Sequence, residues 1–197
     1  MHLTKLSITT AVATLLFGAS FGAQPGLFAG VALGYGQLNN GQKDIPSESG
    51  LTETLTGFAY GVSAGYNFSN YLGVEGQVNR NPSLELKDSG TTVLKEKIYD
   101  IDILADGYLP INNDYFGSDF GLVGKAGLAY LEVKASPAGE YSIDGPDTVH
   151  LYRPKVAAGV SYDAIKNMSI SLIYSHIFSI KGRVAVDTGT LSVNYLF

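Results

Sequence analysis

The chain has 197 residues and a formal net charge of −5, with 24 glycines, 13 tyrosines, 9 phenylalanines and no cysteine. Its length suits one domain. The absence of cysteine excludes disulfides, thiolate metal sites and cysteine nucleophiles. The acidic balance lacks the basic footprint that nucleic-acid binding requires, so we expect no nucleic-acid partner.

The N-terminal residues 1–23 are typical of a cleaved signal peptide. Lys5 provides a basic start, residues 8–17 form an apolar stretch interrupted only by threonines, and small residues follow. Cleavage is expected after Ala23 or, alternatively, after Ser20. The apolar stretch is shorter than the roughly 20 residues that a membrane-spanning helix needs. We therefore predict an exported protein whose mature domain covers residues 24–197.

From Gly26 onward, the sequence contains eight stretches in which apolar residues alternate with small or polar ones. A period of two is the pattern of a β-strand. Most of these stretches reach the roughly 9–11 residues that a tilted transmembrane strand requires. They cover residues 26–38, 55–68, 71–80, 96–110, 118–133, 148–162, 167–179 and 188–197.

The connections between these stretches alternate between short and long. The short ones are residues 69–70, 111–116 and 163–166, and the long ones are 39–54, 81–95, 134–147 and 180–187. Outer-membrane barrels have short periplasmic turns and longer external loops. The pattern therefore predicts an all-β fold, an eight-stranded antiparallel up-and-down transmembrane β-barrel in the cell outer membrane, with both termini in the periplasm.

The two faces of each predicted strand differ in a way that favours lipid contact. One parity carries bulky apolar residues such as Leu33, Val74 and Leu172, and the other is mostly glycine and serine with a few charges. A soluble barrel would cover its outside with charges, whereas small polar residues suit the crowded interior of an eight-stranded barrel. We therefore assign to the lumen the polar residues Gln77, Asp100, Asp102, Lys155, Ser161 and Ser171.

Five segments, in the right order, resemble the transmembrane domain of the outer membrane protein A (OmpA) family. They are GVALGYGQ (30–37), GYNFSNYLGVEGQV (65–78), YLPI (108–111), GLVGKAGLAY (121–130) and AAGVSYDAIKNMSISLIY (157–174). The resemblance implies that the terminal aromatics Tyr195 and Phe197 form the signal that the barrel-assembly machinery recognises. The sequence stops where that family often continues into a periplasmic peptidoglycan-binding domain, so we expect no such function.

The resemblance also implies a charged cluster in the lumen. Glu75 falls where the family has a lumenal glutamate of an interior salt-bridge network, and Lys125 falls where it has a basic residue. Asp106 instead falls where a lysine usually sits, and Ser161 and Ser171 replace other charged partners. Because two carboxylates beside one cation repel, we expect Glu75 and Asp106, with Lys125 between them, to share a proton and to titrate as a pair.

No segment carries a recognisable catalytic, metal or cofactor signature, so we predict a non-enzymatic protein without a cofactor. The glycines at 30–36 are not followed by the Lys-Ser/Thr of a phosphate loop. Only His150 and His176 are available to an active site at the barrel rim.

The function that we expect is structural, or an interaction at the cell surface through the external loops. The expected partners are outer-membrane lipid and lipopolysaccharide, the barrel-assembly machinery during biogenesis, and a host or environmental ligand at the loops. The alternatives are a small low-conductance pore or a barrel that binds a small ligand and, less expected, an outer-membrane enzyme that modifies lipids.

Overall fold

The computed structural model describes residues 24–39, 51–88, 91–113, 117–137, 148–165, 167–179 and 185–197. Ten β-strands lie within these residues: β1 (Gly26–Asn39), β2 (Leu51–Thr54), β3 (Thr56–Asn67), β4 (Leu72–Arg80), β5 (Leu84–Asp88), β6 (Thr91–Asn113), β7 (Gly117–Pro137), β8 (Thr148–Ile165), β9 (Met168–Ile177) and β10 (Ala185–Leu196). The predicted signal peptide, and most of the predicted loops at 39–54, 134–147 and 180–187, lie outside the described residues.

Eight of these strands form a closed barrel. β1 pairs with β3 on one side and with β10 on the other, so that Val31 lies opposite both Val62 and Val193. Each neighbouring pair is antiparallel, in the order β1, β3, β4, β6, β7, β8, β9 and β10. Closure leaves the barrel without an unpaired edge. The predicted eight-stranded up-and-down barrel is confirmed.

The two ends of the barrel differ. We call the end that contains Gln24, the Ser69–Asn70 turn and Phe197 the turn end, and the opposite end the loop end. At the turn end, the Ser69 hydroxyl accepts hydrogen bonds from the backbone N–H groups of Tyr71 and Leu72, each at 3.2 Å. Such side-chain to backbone bonds favour a tight turn over continued strand. The hairpin between β3 and β4 is thereby held where the alternation in the sequence breaks.

At the loop end, strands continue through segments for which the sequence predicts loops. β6 has 23 residues and β7 has 21, and they pair with each other from Leu94–Pro137 to Asn113–Gly117. β5 adds to the outer part of β6, and β2 adds to β5. The loop prediction at 81–95 is therefore wrong in part. Strands at this end can pair without an apolar face towards lipid. The polar composition of residues 81–95 therefore did not indicate a strand.

The side chains of the barrel strands alternate between an exposed apolar outer face and a buried inner face. Leu33 and Ile103 are each 69% exposed, while Leu104, the next residue after Ile103, is 1% exposed. Large apolar side chains with this much exposed surface are typical of a face that contacts something other than water. Within the described residues, no helix has the length and apolarity that crossing a membrane would need.

Candidate functional site

The inner face of the barrel gathers the polar side chains that the sequence assigns to the lumen. Glu75, Asp100, Asp102, Lys155, Ser161 and Ser171 are buried, and Gln77, Asp106 and Lys125 are partly exposed. They are held there by the strand period, which sends alternate side chains inward. Along the barrel axis they form two charged clusters with a small cavity between them.

The first charged cluster, which we call the Lys125 cluster, contains Glu75, Asp106 and Lys125. The Lys125 ammonium donates a hydrogen bond to Glu75 Oε2 and lies 3.9 Å from Asp106 Oδ1. The side chains of Glu75 and Lys125 are 2% and 8% exposed. Asp106 Oδ1 accepts no hydrogen bond from the described residues. The three groups that the sequence places on one face are thus in contact, with two carboxylates around one cation.

The second charged cluster, which we call the Lys155 cluster, lies nearer the loop end. The Lys155 ammonium donates hydrogen bonds to Asp102 Oδ2 and to Asp100 Oδ2, the latter at 3.2 Å. Asn79 Nδ2 donates to Asp100 Oδ2 at 3.1 Å and to Asp102 Oδ2 at 3.0 Å. Asn81 donates to Asp100 Oδ1 at 2.6 Å. Carboxylates this deeply buried need charged and hydrogen-bonding partners to be retained.

The asparagines of the Lys155 cluster were not predicted from the sequence. Asn79 and Asn81 share the lumenal parity with Glu75 and Gln77, so the period of β4 was the signal that could have found them. Gln77 also belongs to this region, because its Oε1 lies 3.4 Å from both Lys155 Nζ and Asn79 Nδ2.

The two serines of the predicted set contact each other rather than either charged cluster. Ser171 donates a hydrogen bond to Ser161 Oγ at 2.9 Å across β8 and β9. Further towards the loop end, Ser175 and Thr188 are 2.5 Å apart. These hydroxyl pairs are neutral cross-strand contacts, and they fill the side of the lumen where β8, β9 and β10 meet.

The lumen ends in an apolar plug on the loop side of the Lys155 cluster. We define the plug as the buried residues Leu38, Ile98, Ala129, Leu131, Ile177 and Val186, against which Leu55, Val133 and Leu151 pack. The plug was not predicted from the sequence. Its signal was that Leu38, Ile98 and Ile177 put large apolar side chains on the parity that is otherwise small or polar.

Cavities lie next to both charged clusters inside the barrel of the described residues. A cavity of about 50 Å³ lies between the charged clusters and is lined by Glu75, Lys125 and Lys155 among others. A larger cavity of about 610 Å³, which we call the vestibule, lies at the turn end and reaches Asp106 and Lys125. Beyond the vestibule, the buried side chains of the two charged clusters and of the apolar plug occupy the lumen of the described strands.

A polar group lies on the outer face at the loop end of β9 and β10. Asp187 accepts hydrogen bonds from His176 Nδ1 at 2.6 Å, from Tyr174 at 2.5 Å and from Asn39. Because the donors come from β1 and β9, Asp187 on β10 links three neighbouring strands. Within the described part of the chain, no three or more His, Cys, Asp or Glu side chains are arranged to hold a metal ion.

The two residues of the expected assembly signal lie on the outer face at the turn end. Tyr195 is 49% exposed and Phe197 is 76% exposed. Their rings contact each other edge to face, with centroids 5.2 Å apart. The Phe197 backbone N–H donates to the carbonyl of Leu27 at 2.9 Å, which ties the C-terminus to β1. Both rings are therefore presented outward from a strand that closes the barrel.

Comparison with known proteins gives a family and a set of similar folds. The family model described as "Outer membrane protein beta-barrel domain" matches residues 9–197. No curated protein sequence matches the chain.

Three solved barrels illustrate the likeness in fold. Ail, the attachment invasion locus protein of Yersinia pestis, is 18% identical with a TM-score of 0.52, over 89% of this chain and 100% of that one. Neisserial surface protein A is 17% identical with a TM-score of 0.59, over 87% and 97%. The N-terminal barrel of Pseudomonas aeruginosa OprF is 14% identical with a TM-score of 0.55, over 89% and 100%.

Proposed function

Because this chain belongs to the outer membrane protein β-barrel domain family, we propose that it acts at the bacterial surface through its loop end. In this proposal the signal peptide at residues 1–23 directs export from the cytoplasm of a Gram-negative cell. The turn end faces the periplasm, and the loop end projects outward. The lumen serves as a rigid support for that outer end and not as a path for solutes.

The observation that supports this proposal is that buried side chains occupy the lumen beyond the vestibule. A solute that entered the vestibule would meet the Lys125 cluster, then the Lys155 cluster, and then the apolar plug. Opening such a path would separate buried ion pairs, and breaking one buried pair costs about 3–5 kcal/mol. An interior built in this way favours a static barrel over a pore.

The outer end has the features of an interaction surface. β6 and β7 are roughly twice as long as the 9–11 residues that cross a membrane, and β5 and β2 widen the sheet at the loop end. Two barrels of similar fold are an attachment invasion locus protein and a surface protein. Attachment to a host or environmental surface is the corresponding proposal here.

Two measurements test this function. In planar bilayers, the refolded protein should show no discrete channel openings. A variant in which residues 84–95 and 134–147 are each replaced by a short Gly-Ser linker should still insert and show heat-dependent gel mobility, but should lose attachment of expressing cells to a surface that wild-type cells bind. Regular channel openings in the wild type, or undiminished attachment by the shortened barrel, would contradict the proposal.

The vestibule supports a second candidate function, the binding of a small polar ligand from the periplasm. Its volume of about 610 Å³ lies within the range of small-molecule sites. Its floor carries Asp106 and Lys125, and its walls carry Ser161, Ser171 and Asn194. Screening a library of polar metabolites by nuclear magnetic resonance would test this candidate. If this candidate function is correct, a bound metabolite shifts the resonances of vestibule residues, and Lys125→Met abolishes these shifts.

A further inference from the structure

Three cations stand close together on the outer face at the loop end. We define the basic patch as Arg80 on β4, Lys97 on β6 and Lys134 on β7. All three share the outward parity of their strands with exposed apolar residues further down the wall. Two carboxylates of the described strands lie near them on this face, Glu132 and Glu85, and each is 2.6 Å from a lysine Nζ, that of Lys134 and of Lys95 respectively. In a chain whose net charge is −5, this local excess of positive charge is unusual.

The strand register brings two of these cations directly opposite each other. Lys97 and Lys134 are cross-strand partners in the β6–β7 ladder. Like charges in this position destabilise a sheet. Glu132 lies 2.6 Å from Lys134 Nζ and is thereby engaged, and Lys97 has no anionic partner among the described residues. An anion that reached both ammonium groups would remove the repulsion.

Aromatic rings contact Arg80 and Lys134 at the border of the apolar outer face. The Arg80 guanidinium lies 5.7 Å from the centre of the Tyr60 ring and donates to its hydroxyl at 3.1 Å. Lys134 Nζ lies 5.8 Å from the centre of the Tyr99 ring. Tyrosines at this position mark the boundary between hydrocarbon and headgroups in outer-membrane barrels. The patch is therefore at the height of the headgroups.

We propose that the basic patch binds the phosphate groups of a phosphorylated glycolipid in the outer leaflet of the membrane. Arginine and lysine are the side chains that recognise phosphate, by bidentate hydrogen bonds and by charge. The occupant is a lipid and not a soluble anion, because the patch continues into exposed apolar wall. Val78 is 52% exposed and Ile101 is 54% exposed, directly below Arg80 and Tyr99. Acyl chains would cover that wall while the phosphates contact the cations.

This inference rests on the orientation given under the proposed function, in which the loop end lies outward. Binding to a barrel in a nanodisc does not depend on its orientation in a cell. Failure of the lipid site and failure of the orientation can therefore be distinguished.

The test compares lipid A that carries two phosphates with dephosphorylated lipid A, added to the refolded barrel in nanodiscs of zwitterionic lipid. The wild type should bind the phosphorylated form more tightly. The variant Arg80→Gln/Lys97→Gln/Lys134→Gln should bind it on the order of 100-fold more weakly, since each cation near a phosphate surface contributes several-fold. The matched control is Lys95→Gln, which removes a cation from the same face of β6 that already pairs with Glu85 at 2.6 Å. It should bind like the wild type.

A second measurement keeps the proposal testable if the triple variant folds poorly. Lys97→Gln should leave the unfolding temperature in zwitterionic lipid unchanged or raised, because it removes a repulsion. The same variant should lose most of the increase that phosphorylated lipid A gives to the wild type. Equal binding by the wild type and the triple variant would overturn the proposal, as would binding that is indifferent to the lipid's phosphates. Binding of soluble inositol hexakisphosphate as tight as that of lipid A would overturn the lipid assignment.

Discussion

Lys125 lies directly opposite Asp106 in the β6–β7 ladder, yet its ammonium donates its hydrogen bond to Glu75, one strand further away on β4. The ammonium stays 3.9 Å from Asp106. The lysine side chain is long enough to cross the narrow lumen past β6, so three neighbouring strands are joined by one cation. The side chain of Lys125 therefore links β7 to both β6 and β4.

A double-mutant cycle on this ion pair should show strong coupling. Lys125→Met leaves the buried Glu75 carboxylate unpaired and should cost about 3–5 kcal/mol in the free energy of unfolding. In a Glu75→Gln background the same change should cost less, with a coupling energy of about 1–3 kcal/mol. Urea unfolding in lipid vesicles measures both. The partly exposed pair Lys95–Glu85 is the control, with coupling below about 1 kcal/mol. Additive costs at Glu75 and Lys125 would contradict the contact.

Adjacent residues at the centre of β9 test which face contacts lipid. Leu172 is 59% exposed on the outer face, so Leu172→Arg should cost about 2–4 kcal/mol near the bilayer midplane. Ser171→Ala, facing the lumen, removes one hydrogen bond to Ser161 and should cost about 1 kcal/mol. Unfolding in vesicles compares the two variants. A smaller cost for Leu172→Arg than for Ser171→Ala would reverse the assignment of faces.

Two glycines on β7 should respond differently to the same substitution. A Cβ at Gly127 would lie 2.0 Å from the backbone oxygen of Ile103, whereas a Cβ at Gly124 would meet nothing within 4 Å. Gly127→Ala forces backbone movement in a packed wall and should cost about 1–3 kcal/mol. Gly124→Ala should be nearly neutral. The measurement is the free energy of unfolding, and similar costs at both sites would show that the wall at Gly127 relaxes freely.

Membrane orientation should be readable from single cysteines, because the chain has none of its own. Ser179, which is exposed at the loop end, should react as Ser179→Cys with an impermeant maleimide on intact cells. Asn70→Cys, at the turn end, should react only after the outer membrane is permeabilised. The reverse labelling pattern would invert the topology.

The C-terminal aromatics should affect assembly more than stability. Phe197 is 76% exposed and contacts Tyr195, so its removal takes away little buried surface. Deletion of Phe197 should nevertheless lower the level of folded protein in the outer membrane and leave periplasmic degradation products. Phe197→Tyr, which keeps an aromatic terminus, should assemble normally. Normal assembly of the deletion variant would remove the support for a terminal recognition signal.

The sequence by itself determined the strands of the barrel and the face on which each side chain lies. The period of two assigns Leu172 outward and Ser171 inward without reference to any other strand, because successive side chains of a strand point to opposite faces. The same rule assigned Glu75, Asp106 and Lys125 to one lumen. The even number of strands and the alternation of short and long connections then favoured a closed barrel.

Only the tertiary structure decided which of these side chains meet. Register places Lys97 opposite Lys134. Register and strand tilt together bring the Lys125 ammonium to Glu75 instead of Asp106. Both are properties of pairs of strands. The apolar plug likewise gathers Leu38, Ile98 and Ile177 from distant parts of the chain. Local patterns report the period of one strand, whereas contacts across a barrel depend on how all eight strands are staggered when it closes.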